Sequence, residues 1–291
     1  MVPVLPGRLT IPVPLPGGTP YPDESKKIRG NCQMSADLDA AGRYGSVSYR
    51  SLAGQSVVVT GGASGIGAEM VRAFAVQGAK VSFLDIDEKL GPKVADETGA
   101  TFHACDLTDI ARLREVMAEI EATTGGIEAL INNAARDDRH VMAEVEPDYW
   151  RKVLATNLDH QFFATQAAAK GMIARGRGAI VLFSSIAWLR SRAGMVAYTT
   201  AKAGIYGMNK TLAQELGPSG IRVNCIVPGA IRTERQATLW RTPEVDRRVI
   251  ENQALKISLD ESHVARMALF LASDQSVGCA GASFHIDAGM A

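Results

Sequence analysis

The chain has 291 residues, 46% of them hydrophobic and 21% charged, with 31 basic side chains balanced by 31 acidic ones. That composition fits an ordinary globular protein with a sizeable core, and a net charge of zero leaves no electrostatic footprint for nucleic acid or an anionic membrane. Cys32, Cys105, Cys225 and Cys279 are far apart, with no CxxC pair. This argues against a disulfide framework or a zinc site, so reduced thiols, no metal and a cytoplasmic location are expected.

Seven of the twelve prolines precede Asp23, and no periodic apolar pattern follows until residue 56. Residues 1–51 therefore read as a Pro-rich N-terminal extension, poorly ordered or laid over a partner, and residues 52–291 as the folded domain. Prolines at 3, 6, 12, 14 and 16 break the helical core that a signal peptide would need. Alternatively, Met34 is the start, and residues 1–33 are an upstream extension.

From Ser56 onward, short β-branched runs alternate with amphipathic stretches. Strands are expected at 56–60, 80–85, 101–105, 127–132, 178–183, 221–227 and 282–287. Strand–helix alternation with strands apolar on both faces predicts an α/β fold: a single domain with a doubly wound parallel sheet of seven strands.

After the first strand, TGGASGIG places Gly61, Gly65 and Gly67 in a turn opening a helix, with Ser64 and Ile66 between them. Glycines there let backbone approach a pyrophosphate seated on the helix N-terminus. The second strand ends at Asp85, 18 residues beyond Gly67. A carboxylate at that tip accepts hydrogen bonds from both adenosine ribose hydroxyls and repels a 2′-phosphate, which favours NAD over NADP. The third strand ends with Asp106 and Leu107, either beside the adenine or with Asp106 capping a helix expected at 109–122. The fourth ends NNAA (132–135), where Asn133 and small neighbours let backbone pass close to a ligand.

The fifth strand ends at Ser185, 13 residues before Tyr198, and Tyr198 and Lys202 share a helix face one turn apart. Such a pair is either a surface contact or a phenol tuned as a base. The joint set, TGGASGIG, the strand-end aspartate, NNAA, Ser185 and YxxxK, resembles the short-chain dehydrogenase/reductase family over roughly 52–290. The resemblance implies a Rossmann-like fold and a catalytic tetrad of Asn157, Ser185, Tyr198 and Lys202. In that tetrad Tyr198 is the base and Ser185 bonds the substrate oxygen. Lys202 holds the nicotinamide ribose and lowers the tyrosine pKa, and Asn157 positions a water. PGAIRT (228–233) resembles the family's turn that holds the carboxamide, here through Ile231 and Thr233. Ala135 and the DAG at 287–289 depart from the usual NNAG and DGG.

Loops at 135–140, 187–194 and 231–240 should set the substrate. They are rich in donors and acceptors, with only Trp188, Leu189, Leu239 and Trp240 bulky and apolar, whereas a steroid or acyl pocket should be greasier. They resemble those of the family's NAD-dependent sugar dehydrogenases, implying oxidation of a pentose or 6-deoxyhexose at its anomeric carbon to a lactone. Asp138, His140, Trp188 and Gln236 are the candidate sugar contacts. Arg190, Arg192, Arg232 and Arg235 support a sugar acid as the alternative. A 3-oxoacyl reductase-like enzyme or an idle dinucleotide sensor is a further reading. The family usually assembles tetramers through its long helices, here about 147–174 and 195–217.

Overall fold

The computed structural model describes residues 39–239 and 241–291, without the side chain of Leu239. Cys32, Met34, Trp240 and most of the Pro-rich segment lie outside the described residues.

Seven parallel strands form one sheet: β1 Ser56–Thr60, β2 Lys80–Asp85, β3 Thr101–Ala104, β4 Ala129–Asn132, β5 Gly178–Phe183, β6 Ile221–Pro228 and β7 Ser283–Ile286. Their spatial order is β3-β2-β1-β4-β5-β6-β7. β1 pairs with β2 on one side (Val58↔Ser82) and with β4 on the other (Val58↔Leu130). The chain thus winds outward in both directions from β1, and the carboxyl ends of β1 and β4 flank the switch point where such sheets bind ligands.

Alternate residues along each strand feed opposite faces. Val57, Val59, Phe83 and Ile131 pack with Met70 and Phe74 of α2 (Gly65–Val76) and Leu269 of α10 (Glu261–Ala272). Val58, Leu84, Leu130 and Ile180 pack with Leu113 of α4 (Ile110–Thr124), Met172 of α6 (His160–Arg175) and Ile205 of α7 (Val196–Leu216). The strands carry apolar side chains on both faces because helices cover both.

Two expectations are refined. The long helix at 147–174 runs as α5 (Pro147–Leu154), a π-helical stretch Ala155–Asp159 and α6. Ordered packing also begins upstream of residue 52. The short helix α1, Ala40–Tyr44, is capped by Asp39, and buried Tyr44 donates to Glu69 Oε1 at 2.7 Å. Gln77 Nε2 donates to the carbonyls of Tyr44 and Val47. Tyr44 is apolar enough to bury and has a buried carboxylate to bond, which composition alone does not reveal. Among the described residues, no helix is long and apolar enough to cross a membrane.

Candidate active site

A cleft of about 1160 Å³ runs along the carboxyl ends of β1–β6, lined from Asp85 and Asp106 at one end through Tyr198 and Lys202 to Arg190 and Gln236 at the other. The glycine turn forms its floor. Gly61 and Gly65 have φ of 69° and 52°, backbone that L side chains rarely adopt. A Cβ on Gly67 would fall 1.7 Å from the Gly61 carbonyl oxygen, and one on Gly61 would fall 2.8 Å from Ala134 Cα. Only glycine permits this cradle, and the amides opening α2, the twelve-residue helix that follows, suit a pyrophosphate. Ser64 and Ile66 line it, and Asn133 Nδ2 secures it by donating to the Thr60 and Gly61 carbonyls at 3.0 and 3.2 Å.

Asp85 stands at the β2 tip with both carboxylate oxygens anchored: Oδ2 accepts the Ala63 amide at 2.9 Å and Oδ1 that of Asp87 at 3.0 Å. These bonds fix the carboxylate at the β2–β3 end of the cleft. Asp106 and Leu107 line the same end. Asp106 does not cap α4. Asp109 does, accepting the Arg112 amide, while Asp106 bonds Thr108. The cradle, the anchored carboxylate and the length of the cleft fit a nicotinamide dinucleotide.

The π-helical stretch turns Asn157 against the loop after β4. Its Oδ1 accepts the Arg136 amide at 2.9 Å and its Nδ2 donates to the Val153 carbonyl at 2.9 Å. The Asn157 side chain therefore clamps the loop after β4 to the helix. His160, one turn on, donates from Nε2 to the Ala134 carbonyl at 2.9 Å. Burial and then the Lys202 charge push its pKa down to about 3, so the imidazole is neutral. Sequence reasoning missed His160; its place three residues after Asn157 in "NLDH" is the one available signal.

Ser185, Tyr198 and Lys202 meet in the cleft. Burial pushes the Tyr198 phenol up to about 12, opposed by its hydrogen bond with Ser185 and by the Arg139 charge, while Asp137 acts with burial. Lys202 is 1% exposed, donates to the Phe183 carbonyl at 2.8 Å and stands over the Tyr198 ring, 5.7 Å from its centroid. Burial lowers its pKa to about 8. Ser185 and Arg139 thus act to lower the phenol pKa, while the ammonium beside the ring is bonded to the β5 carbonyl. Ile231 and Thr233 line the cleft next to the glycine turn.

The substrate loops differ most from expectation. Gln236 lines the cleft, but its Nε2 donates to Asp137 Oδ2 at 2.9 Å. Arg235 spans Asp137 and Asp138 at 3.0 and 3.1 Å. These bonds latch α8 (Glu234–Leu239) to the loop after β4. Asp138 is taken up by Arg235 and Arg136. His140 bonds the Tyr149 hydroxyl through Nδ1 at 3.1 Å, and Trp188 Nε1 donates to Ser184 Oγ at 3.2 Å. Asp138, His140 and Trp188 do not line the cleft; Asp137, Arg139, Arg190 and Arg192 do. Arg232 turns away to pair with Asp246 at 3.5 Å.

A family model described as enoyl-(acyl carrier protein) reductase matches residues 61–291. The chain is 46% identical to D-xylose 1-dehydrogenase of Caulobacter vibrioides and 45% identical to a probable galactose dehydrogenase of Rhizobium meliloti. Each match covers 84% of this chain and 98% of the relative. A solved structure of a putative gluconate dehydrogenase from Agrobacterium tumefaciens superposes with a TM-score of 0.79 at 30% identity, covering 84% of this chain and 98% of the other.

Proposed function

The chain belongs to the short-chain dehydrogenase/reductase family, an oxidoreductase using a nicotinamide dinucleotide on a CH–OH group, and from that premise we propose that it oxidises the anomeric hydroxyl of an aldose with NAD to give a lactone. The observation that carries this reading is a half-buried tyrosine with Ser185 and Lys202 beside it, in a cleft whose far end is lined by polar and charged side chains. Similarity to the xylose and galactose enzymes supports an aldose.

Tyr198 as phenolate takes the hydroxyl proton, and Ser185, beside the phenol, steadies the substrate oxygen as its C=O bond forms. The nicotinamide, when bound, supplies the acceptor for the hydride leaving C1. Lys202 holds the ribose beside it, with its ammonium fixed by the Phe183 carbonyl. Asn157 and His160 hold the loop that carries Asp137 and Arg139 to the tyrosine. Asp85 selects NAD, since its anchored carboxylate repels a 2′-phosphate. Assembly into a tetramer through α6 and α7 is part of the same reading, and Phe162, Ile173 and Val196 are exposed on those helices. An aldose panel assayed for NADH and for lactone tests the proposal; NADH formed only from hydrophobic alcohols would refute it.

A further inference from the structure

The charges lining the cleft are unevenly placed. Of its four carboxylates, Asp85, Asp87 and Asp106 sit at the ends of β2 and β3, and Asp137 alone lies at the substrate end. Asp137 is already taken, accepting from Arg235 and Gln236. Facing that end are Arg139, Arg190, Arg192 and Arg241. Arg241 is paired with Asp246 and donates to the Ala230 carbonyl.

Arg190 and Arg192 are carried on a fixed turn. The Arg190 amide donates to the Ile186 carbonyl at 3.0 Å and the Arg192 amide to that of Ala187 at 3.5 Å. Ser191 between them has φ of 50°, the left-handed region that a non-glycine residue enters at a cost. The turn is tied to the other substrate loop by the His140 amide, which donates to the Gly194 carbonyl at 3.0 Å. The backbone of the turn is thus fixed, and neither arginine forms a salt bridge among the described residues, although Asp137 lies near enough to favour the Arg192 charge. Burial first, and then the charges of Arg139, Arg190 and Arg241, oppose the charge on Arg192, with Asp137 acting against them. Like charges brought together on a constrained loop suit an anion that joins them.

We propose that the aldose carries a carboxylate remote from its anomeric carbon, a hexuronate, and that Arg190 and Arg192, with Arg139 beside them, receive it. This rests on the anomeric-oxidation reading and names its substrate class. The reaction balances as before: C1 loses hydride to NAD and its hydroxyl proton to Tyr198, forming C1=O. The remote carboxylate is unchanged, and the product is an aldarate monolactone. A phosphate ester shares the anionic chemistry, and the hexose 6-phosphates in the test distinguish it. A neutral pentose or 6-deoxyhexose is the uncharged counterpart against which the claim is measured.

The test compares D-glucuronate and D-galacturonate with their methyl esters, the parent aldoses and the hexose 6-phosphates, following NADH with the full-length enzyme. The uronate should exceed its methyl ester in kcat/KM by at least about tenfold. In the variant R190Q/R192Q that ratio should fall toward one, chiefly through the KM for the uronate, with the melting curve checking the fold. Because the readout is a ratio, general damage does not mimic it. Equal use of uronate and ester, or a ratio unmoved in the variant, overturns the proposal while leaving aldose oxidation standing. Preference for a 6-phosphate overturns the carboxylate. Failure of every aldose, charged or neutral, overturns both readings.

Discussion

Lys202 Nζ donates to the carbonyl of Phe183 at 2.8 Å, from a side chain only 1% exposed. A lysine so placed is poised for function at the expense of stability. Its pKa falls from 10.5 to about 8 through burial, so below pH 8 the folded state must hold a buried charge, on the order of 3 kcal/mol unfavourable. Between pH 8 and 10.5 the unfolded chain binds more of this proton, and stability should rise with pH across that window.

Lys202→Met should therefore abolish turnover yet stabilise the fold at pH 7 by about 1–3 kcal/mol, after allowing for the lost hydrogen bond. The gain should shrink toward pH 10.5. Denaturant unfolding at pH 7 and pH 10 measures both; a variant less stable at pH 7 would contradict the account.

Tyr198→Phe should lower kcat by at least about 100-fold while NADH still binds, as fluorescence titration can show. Ser185→Ala removes the hydrogen bond that lowers the phenol pKa. Its activity should require higher pH, with the rising limb of the pH–kcat/KM profile displaced upward. A profile that stays in place would show that Ser185 does not tune the base.

The strands were legible because β-branched runs buried on both faces leave little ambiguity, and each lies within two residues of its expected span. The tetrad residues were legible as a motif, and Ser185, Tyr198 and Lys202 do meet. The π-helical stretch at Ala155–Asp159 was not, since its side-chain pattern continues that of the helices around it. Sugar contacts were least legible. Asp138 pairs with Arg235, 97 residues away, and His140 with Tyr149, and only the folded loops show that these polar groups already have partners.

Asp85→Ser removes both the carboxylate at the β2 tip and the anchor to the Ala63 amide. The unaltered enzyme should prefer NAD over NADP by at least about tenfold in kcat/KM, about 1.4 kcal/mol, and the variant should narrow that gap. Equal use of the two cofactors by the unaltered enzyme would contradict the assignment.

Tyr44 and Arg43 both bond the buried Glu69 carboxylate at 2.7 Å. Tyr44→Phe should cost about 1–3 kcal/mol, since it withdraws a hydrogen bond from a buried charge. Deleting residues 1–48 should lower the melting temperature by several degrees, whereas deleting residues 1–33 should leave it almost unchanged. A 1–48 deletion as stable as the full chain would show that α1 contributes nothing to the domain.

Anomeric oxidation is tested most directly by isotope transfer. An aldose that the enzyme oxidises, deuterated at C1, should deliver its deuterium to the nicotinamide ring of the NADH formed, slow kcat/KM by a primary isotope effect, and leave a lactone with no deuterium at C1. NADH free of deuterium, from a sugar that still carries the label, would place the oxidation at another carbon and contradict the account.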